Sequence, residues 1–346
     1  MKPGDRPGAE AIRRKGWFGA HRWLLARRLS QAVILALFLA GPWLGIWIVK
    51  GNLASSLTLE VLPLTDPLLL LQVLASGQVP AATAVTGAVI VLVFYLLVGG
   101  RVYCSWVCPV NPITDAAEWL RCRLGIKGGA RFSDQTRNGL LGAIPLLAAV
   151  SGGLAWELVN PVSMVYRGLV FGMGLAWGVL AASFLLDLFV GRRAWCGHLC
   201  PVGAFYGLLG GVALVRVGAL RRERCDDCLD CFAVCPEHQV IKPALKGADQ
   251  GLGPVILSGH CTNCGRCIDV CGREVFAFTT RLANKAPFAS DAHPGSNARS
   301  ATDALSAPNT RSAPDERSAN NTRSAHPAHK IRPVNTGDNH PQEVSS

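Results

Sequence analysis

The sequence predicts a mostly α membrane protein: four transmembrane helices as two duplicated hairpins, then a small cysteine-rich metal domain and a disordered tail. Three observations carry this. Half of the 346 residues are hydrophobic, and mean hydropathy is +0.28 although the C-terminal segment is polar. The 13 cysteines fall at short, patterned spacings, which suits ligands better than disulfides. Finally, "RVYCSWVCPV" at 101–110 returns as "RAWCGHLCPV" at 193–202.

Each of the four apolar runs, Leu29–Val49, Ala81–Val98, Gly139–Val159 and Gly168–Phe189, is about long enough to cross a bilayer, which takes roughly 20 residues. The first two lack charge, while the third holds Glu157 and the fourth Asp187, each near an end. Core helices of a soluble protein would show more amphipathic alternation. The segment before Leu29 is too long and polar for a simple signal peptide.

Lys and Arg set the orientation. Eight precede the first run, one (Lys50) lies in 50–80, six in 99–138 and one (Arg167) in 160–167, with a further group from Arg192 onward. This alternation places both termini, and every cysteine, on the cytoplasmic side of a bacterial inner membrane. The net charge of +11 is thus a set of membrane anchors rather than a nucleic-acid surface. The stretch 203–220, "GAFYGLLGGVALVRVGAL", carries Arg216 and five glycines, and reads as an interfacial helix rather than a fifth span. The resulting domains are a basic N-terminus (1–28), a membrane domain (29–202), the interfacial helix (203–220), a metal domain (221–281) and the tail (282–346). The tail is rich in Ser, Ala, Asn, Pro and Arg and cannot bury a core.

The metal domain holds "CDDCLDCFAVCP" and "CTNCGRCIDVCG", each C-x2-C-x2-C-x3-C, the bacterial ferredoxin run. Three thiolates at that spacing wrap corners of a cubane cluster, and the fourth points toward a second cluster. The expected ligand sets are Cys225, Cys228, Cys231 with Cys271, and Cys261, Cys264, Cys267 with Cys235, holding two 4Fe–4S clusters. Zinc generally takes two separated C-x2-C pairs, and a reducing cytoplasm disfavours disulfides. Gly272 stands where proline commonly follows the fourth cysteine. His238 and His260, beside the runs, receive no role.

Cysteines four apart share one helical face, so Cys104 with Cys108, and Cys196 with Cys200, read as redox or docking pairs that close each membrane hairpin. Simple packing of small buried residues is the other reading. Cys122, outside any pair, reads as structural. Tyr103, Trp195, Arg101, Arg192 and Arg193 suit headgroup anchoring as well as any special role at the pairs.

The four runs, the two C-x-x-x-C-P motifs and the paired ferredoxin runs, with "AWCGHLCPVGAFYGLLG" and "CGRCIDVC" as the most telling stretches, resemble the NapH family over about residues 10–280. These are membrane ferredoxin-type subunits of periplasmic nitrate reductase systems. The resemblance implies a quinol dehydrogenase module that draws on the membrane quinol pool. It also implies a NapG-type periplasmic iron–sulfur partner, and a membrane-anchored cytochrome c as a further one. NosR-type and CcoG-type proteins share the core, but the former carry a periplasmic flavin region and the latter a folded C-terminal domain. The alternative is a metal-handling or maturation factor of that CcoG/NosR type, using the C-x-x-x-C-P thiols, since soft thiolates suit copper and iron. A third reading is a non-catalytic membrane anchor for a soluble partner. Glu157 and Asp187 are the intramembrane acids, each read here as an end-of-helix residue reaching the interface rather than a proton acceptor.

Overall fold

The computed structural model describes residues 7–126, 128–130 and 134–284. Residues 1–6 of the basic N-terminus, and the expected tail from 285 on, lie outside the described residues. Helix α1 (Ala9–Leu44) is kinked at Gly16. Its first half lies on the ferredoxin runs, where the Trp23 and Leu24 amides donate to the Asp269 carboxylate at 3.2 and 3.0 Å. The Gly8 amide donates to Asp230 at 2.9 Å. A Cβ on Gly272 would stand 3.2 Å from Glu10 Cγ and 3.4 Å from the Ala11 amide nitrogen. Glycine in place of the usual proline therefore makes room for the first turn of α1.

After α1 come strands β1 (Val49–Gly51), β2 (Ser55–Thr58) and β3 (Leu62–Thr65). They form an antiparallel sheet with Val49 opposite Thr58 and Ser55 opposite Thr65. The expected span 29–49 is thus helical only to Leu44, and the β-branched end of the run enters the sheet. Helix α2 (Pro67–Ala75) is capped by Asp66, whose carboxylate accepts from the Leu68 amide at 3.1 Å. Helix α3 (Ala82–Val98) falls within the second expected span. Then come a π-helical turn at Tyr103–Val107 and helix α4 (Val110–Arg123).

The next part follows a similar course. Helix α5 (Asp134–Ser151) occupies only part of the third expected span, which ends in a 3₁₀ turn at Ala155–Leu158. Helix α6 (Pro161–Phe171) is capped by Asn160, whose side chain accepts from the Val162 amide at 3.1 Å. Asp66-Pro67 and Asn160-Pro161 are therefore the same device: a side-chain cap followed by proline at the first helical position. The fourth expected span is broken. Gly172, at φ 64°, ends α6, and helix α7 (Gly174–Leu185) restarts the run and passes into a π segment at Leu186–Val190. A further π-helical turn, Ala194–Leu199, precedes helix α8 (Pro201–Val212). Among the described residues, α1 is the one helix long and apolar enough to cross a membrane; Ala82–Val98, Gly174–Val190 and Pro201–Val212 are shorter apolar helices.

The stretch 203–220 is not one helix. Helix α8 stops at Val212, and Val215–Gly218 forms β4, antiparallel to β5 (Ala277–Thr280) with Val217 opposite Phe278. Arg216 is buried, its Nε donating to the Ala213 carbonyl at 3.1 Å. The ferredoxin part adds short helices α9 (Asp230–Val234), α10 (Ile241–Lys246) and α11 (Arg266–Val270) around a core of Val217, Ile241, Ile256, Ile268, Val275 and Phe276.

Candidate metal centre

The two ferredoxin runs fold alike. The residue two after the first cysteine (Asp227, φ 57°; Asn263, φ 47°) and the residue one after the second (Leu229, φ 62°; Gly265, φ 72°) are left-handed in both. Asp and Asn tolerate this region better than most residues. Alternation of left- and right-handed residues turns successive amides inward, the geometry of anion-binding nests. Asp227 Oδ1 and Asn263 Oδ1 each lie 3.5 Å from the sulfur of Cys225 and Cys261 respectively.

One cavity is lined by Cys225, Cys228, Cys231 and Cys271 against Phe232 and Val275. Another is lined by Cys235, Cys261, Cys264 and Cys267 against Val217 and Ile256. Each run thus sends its fourth cysteine to the other run's cavity. The Val275 amide donates to Cys271 Sγ at 3.4 Å. Among the described residues no three His, Cys, Asp or Glu side chains stand close enough to hold one metal ion. Thiolates around a cubane stand farther apart, because an iron–sulfide core fills the space between them. Inward amides, four thiols per cavity and apolar walls fit such a cluster. Burial pushes the Cys261 thiol up to about 11 and Cys231 up to about 12. For Cys264 burial acts in the same direction, but Arg27 and Arg266 overcome it and draw the thiol below its ordinary value.

The first cysteine of each pair lies in a π-helical turn, Cys104 in Tyr103–Val107 (the first turn) and Cys196 in Ala194–Leu199 (the second), and the other cysteine follows directly. Each second cysteine closes its turn through the backbone: the Cys108 amide donates to the Tyr103 carbonyl at 3.0 Å, and the Cys200 amide to the Trp195 carbonyl at 2.8 Å. The helical face expected from a spacing of four is therefore replaced by a wider turn. The segments flanking the first turn reach the second. Arg101 Nη2 donates to the Cys196 carbonyl at 3.2 Å, and Cys196 Sγ lies 3.8 Å from Thr114 Oγ1 on α4. Burial pushes the Cys104, Cys108 and Cys196 thiols above their ordinary value, and Cys200 up to about 12. Cys122 is exposed.

The first turn is docked directly on the second ferredoxin loop. Ser105 Oγ donates to the Thr262 carbonyl at 2.7 Å, and Trp106 Nε1 to the Asn263 carbonyl at 3.1 Å. Residues between Cys104 and Cys108 therefore grip residues between Cys261 and Cys264. Arg101 Nη1 donates to Glu237 Oε1 at 2.8 Å and to the His260 carbonyl at 2.9 Å. Burial would raise the Glu237 carboxyl, and Arg101 beside it holds it below its ordinary value. Arg137 donates to the Gly197 carbonyl and approaches His260 Nδ1 at 3.0 Å.

Several sequence expectations are corrected here. Arg101 and Arg193 are buried, so neither reaches headgroups. Arg193 pairs with Asp115 and Glu118, which also hold Arg28, Arg266 and Arg192. Tyr103 is buried and stacks on Tyr206, centroids 5.0 Å apart. Asp187 does not reach an interface: it is 1 % exposed, and its Oδ1 accepts from the Trp195 amide at 2.8 Å. Glu157 accepts from Asn160 Nδ2 at 3.1 Å and Ser163 Oγ at 2.6 Å. Asp115, Thr114, Glu237, Arg27 and Arg266 escaped notice, since no local spacing marks partners that come from distant segments.

A family profile described as "4Fe-4S binding domain" matches residues 80–127 and again 171–222, and one described as "4Fe-4S dicluster domain" matches 219–272. The ferredoxin-type protein NapH of Escherichia coli (strain K12) is 49% identical over 280 residues, covering 81% of this chain and 96% of that protein. The methylamine utilization ferredoxin-type protein MauN of Methylorubrum extorquens is 53% identical over 279 residues, with coverage of 81% and 96%. MauN of Paracoccus denitrificans is 56% identical over 272 residues, with coverage of 79% and 95%. No solved structure matches. With paired ferredoxin runs folded alike and relatives near half identity along almost their full length, the chain belongs to the NapH/MauN family of ferredoxin-type electron-transfer proteins and carries their 4Fe–4S domains.

Proposed function

We propose that the chain is the membrane subunit of a quinol dehydrogenase. It takes electrons from quinol and passes them through two 4Fe–4S clusters toward a periplasmic iron–sulfur partner of the NapG type, and so to nitrate reductase. The observation that carries this reading is the docking of the first C-x-x-x-C-P turn on the Cys261–Cys264 loop, which joins the apolar helices to the cluster domain. The clusters supply one-electron transfer. The chain's own residues hold them: Cys225, Cys228, Cys231 and Cys271 on one side, Cys261, Cys264, Cys267 and Cys235 on the other. In this reading α1, α3, α5 and the run from α7 through Val190 make four crossings as two duplicated hairpins, with α6 folded back against α7, where a Cβ on Gly168 would stand 3.3 Å from Ala176 Cβ, and both termini cytoplasmic, as the Lys and Arg distribution favours.

A quinol headgroup has a matching seat. An apolar cavity of about 570 Å³ lies between α5 (Leu140, Ile144, Leu147) and the second turn (Trp195, Leu199, Pro201). Its volume is within the roughly 300–1,000 Å³ of small-molecule sites. Trp156 and Trp195 stand there with parallel rings 6.4 Å apart, and the buried Trp156 Nε1 has no partner to donate to among the described residues. That leaves an N–H for a quinol oxygen, next to the Cys196–Cys200 turn. Leu147→Trp fills the cavity. It is expected to slow cluster bleaching by a quinol analogue about tenfold, a loss of roughly 1.4 kcal/mol, with reduction by dithionite unchanged. Equal rates of quinol-driven bleaching in both proteins would contradict this seat.

A second reading concerns the terminal acceptor alone. The identities to the two MauN proteins, 53% and 56%, exceed the 49% to NapH, which favours a place in methylamine utilization with the same quinol-side chemistry. Restoration of growth on methylamine, but not of periplasmic nitrate reduction, by this chain in strains lacking MauN or NapH would select it.

A further inference from the structure

We propose that Cys104, Cys108, Cys196 and Cys200 together form a third cluster-binding site, one tetrathiolate iron–sulfur centre assembled across the two π-helical turns. The first argument is ligand number. The "4Fe-4S binding domain" match covers 80–127 and 171–222, yet the second segment holds only two cysteines and the first adds only Cys122 to its pair. Cys122 is exposed on α4. Neither copy alone holds four cysteines; the two pairs together do.

The fold brings those pairs together. Arg101, three residues before Cys104, hydrogen-bonds the Cys196 carbonyl, and Cys196 Sγ reaches Thr114 one turn into α4. Each thiol lies in the electrostatic field of others in the set: Cys108 with Cys104 and Cys200, and Cys196 with all three. The amides of Val110 and Asn111 lie against Cys108, and those of Val202 and Gly203 against Cys200. Both second cysteines thus stand at the start of a helix, α4 or α8, where the helix dipole favours a thiolate.

The surroundings supply the matching charge. The cavity bordered by Cys104 and Cys196 is lined also by Glu237 and by Arg27, Arg101, Arg193 and Arg266, the last three of which pair with Glu237, Asp115 and Glu118. Arg27 is 0 % exposed, and none of its three guanidinium nitrogens has a hydrogen-bond partner among the described residues. A buried, unpartnered cation is costly, and an anionic cluster beside it removes that cost. Cys264 lines the same cavity, so the third centre would lie next to the cluster of the second ferredoxin run. No three of these side chains stand at single-ion distances, which favours a polynuclear core over one zinc or copper ion.

The test is iron and acid-labile sulfide per chain, with Mössbauer and paramagnetic resonance spectra, on the full chain purified anaerobically from iron-replete cells. Three cubanes give about 12 iron atoms per chain and two give about 8. The Cys104→Ser/Cys196→Ser variant is expected to lose a third of the iron while the spectra of the two ferredoxin clusters persist. Wild-type protein at about eight iron per chain would overturn the proposal and leave the two-cluster reading intact. So would zinc or copper bound at the turns, or an unchanged iron content in the variant. The wild-type count decides even if the variant does not fold.

Discussion

Asp115 shows how single residues hold this molecule together. Its carboxylate receives Arg28 from α1, Arg193 from just before the second turn and Arg266 from the cluster domain, the last at 2.5 Å. Burial alone would raise its pKa; Arg193 and Arg266 hold it well below the usual carboxylate range. Removing one partner of a buried ion network costs about 3–5 kcal/mol, so Asp115→Asn should lower the unfolding free energy by that order, measured by denaturant titration followed through tryptophan fluorescence. The sign with pH follows from the depressed pKa. The Asp115 contribution is fully present above about pH 4, the unfolded carboxylate range, and is lost as pH falls toward the folded value. The wild type should therefore lose stability more steeply than the variant on acidification in that window. None of this was legible in the sequence. Arg101 in "RVYC" looks like a headgroup anchor until Glu237, 136 positions away, is found against it.

At the level of elements, periodic patterns were legible and pairings between distant segments were not. The two ferredoxin loops announce themselves through cysteine spacing, and their shared left-handed positions follow from the same local requirement. The stretch 203–220 misled because one apolar run serves two structures: α8 ends at Val212, and β4 finds its partner at Ala277–Thr280. The fourth run looked continuous, but Gly172 lets the chain take the left-handed turn that ends α6. The crossed cavities carry a sharp prediction. Cys235 belongs to the first run but lines the second run's cavity. Cys235→Ser should therefore alter the paramagnetic signal of the cluster held by Cys261, Cys264 and Cys267, and leave that of the Cys225 run in place. The reverse pattern would contradict the crossed sets.

For the whole molecule, function depends on where the cluster domain sits relative to a membrane. Helix α1 links the two, its first half gripping the runs through Asp269 and Asp230 and its second half apolar. Reporter fusions at 52, 125, 172 and 225 should read periplasm, cytoplasm, periplasm and cytoplasm in that order, and a periplasmic signal at 225 would contradict the four-crossing topology. The central claim is that quinol feeds these clusters. Its most direct measurement is electron paramagnetic resonance of membranes containing the full chain, frozen before and after addition of a quinol analogue under anaerobic conditions. Signals of reduced 4Fe–4S clusters that rise with quinol, and vanish in a Cys228→Ser/Cys264→Ser variant, are the expected result. Clusters that dithionite reduces and excess quinol leaves oxidised would contradict the account.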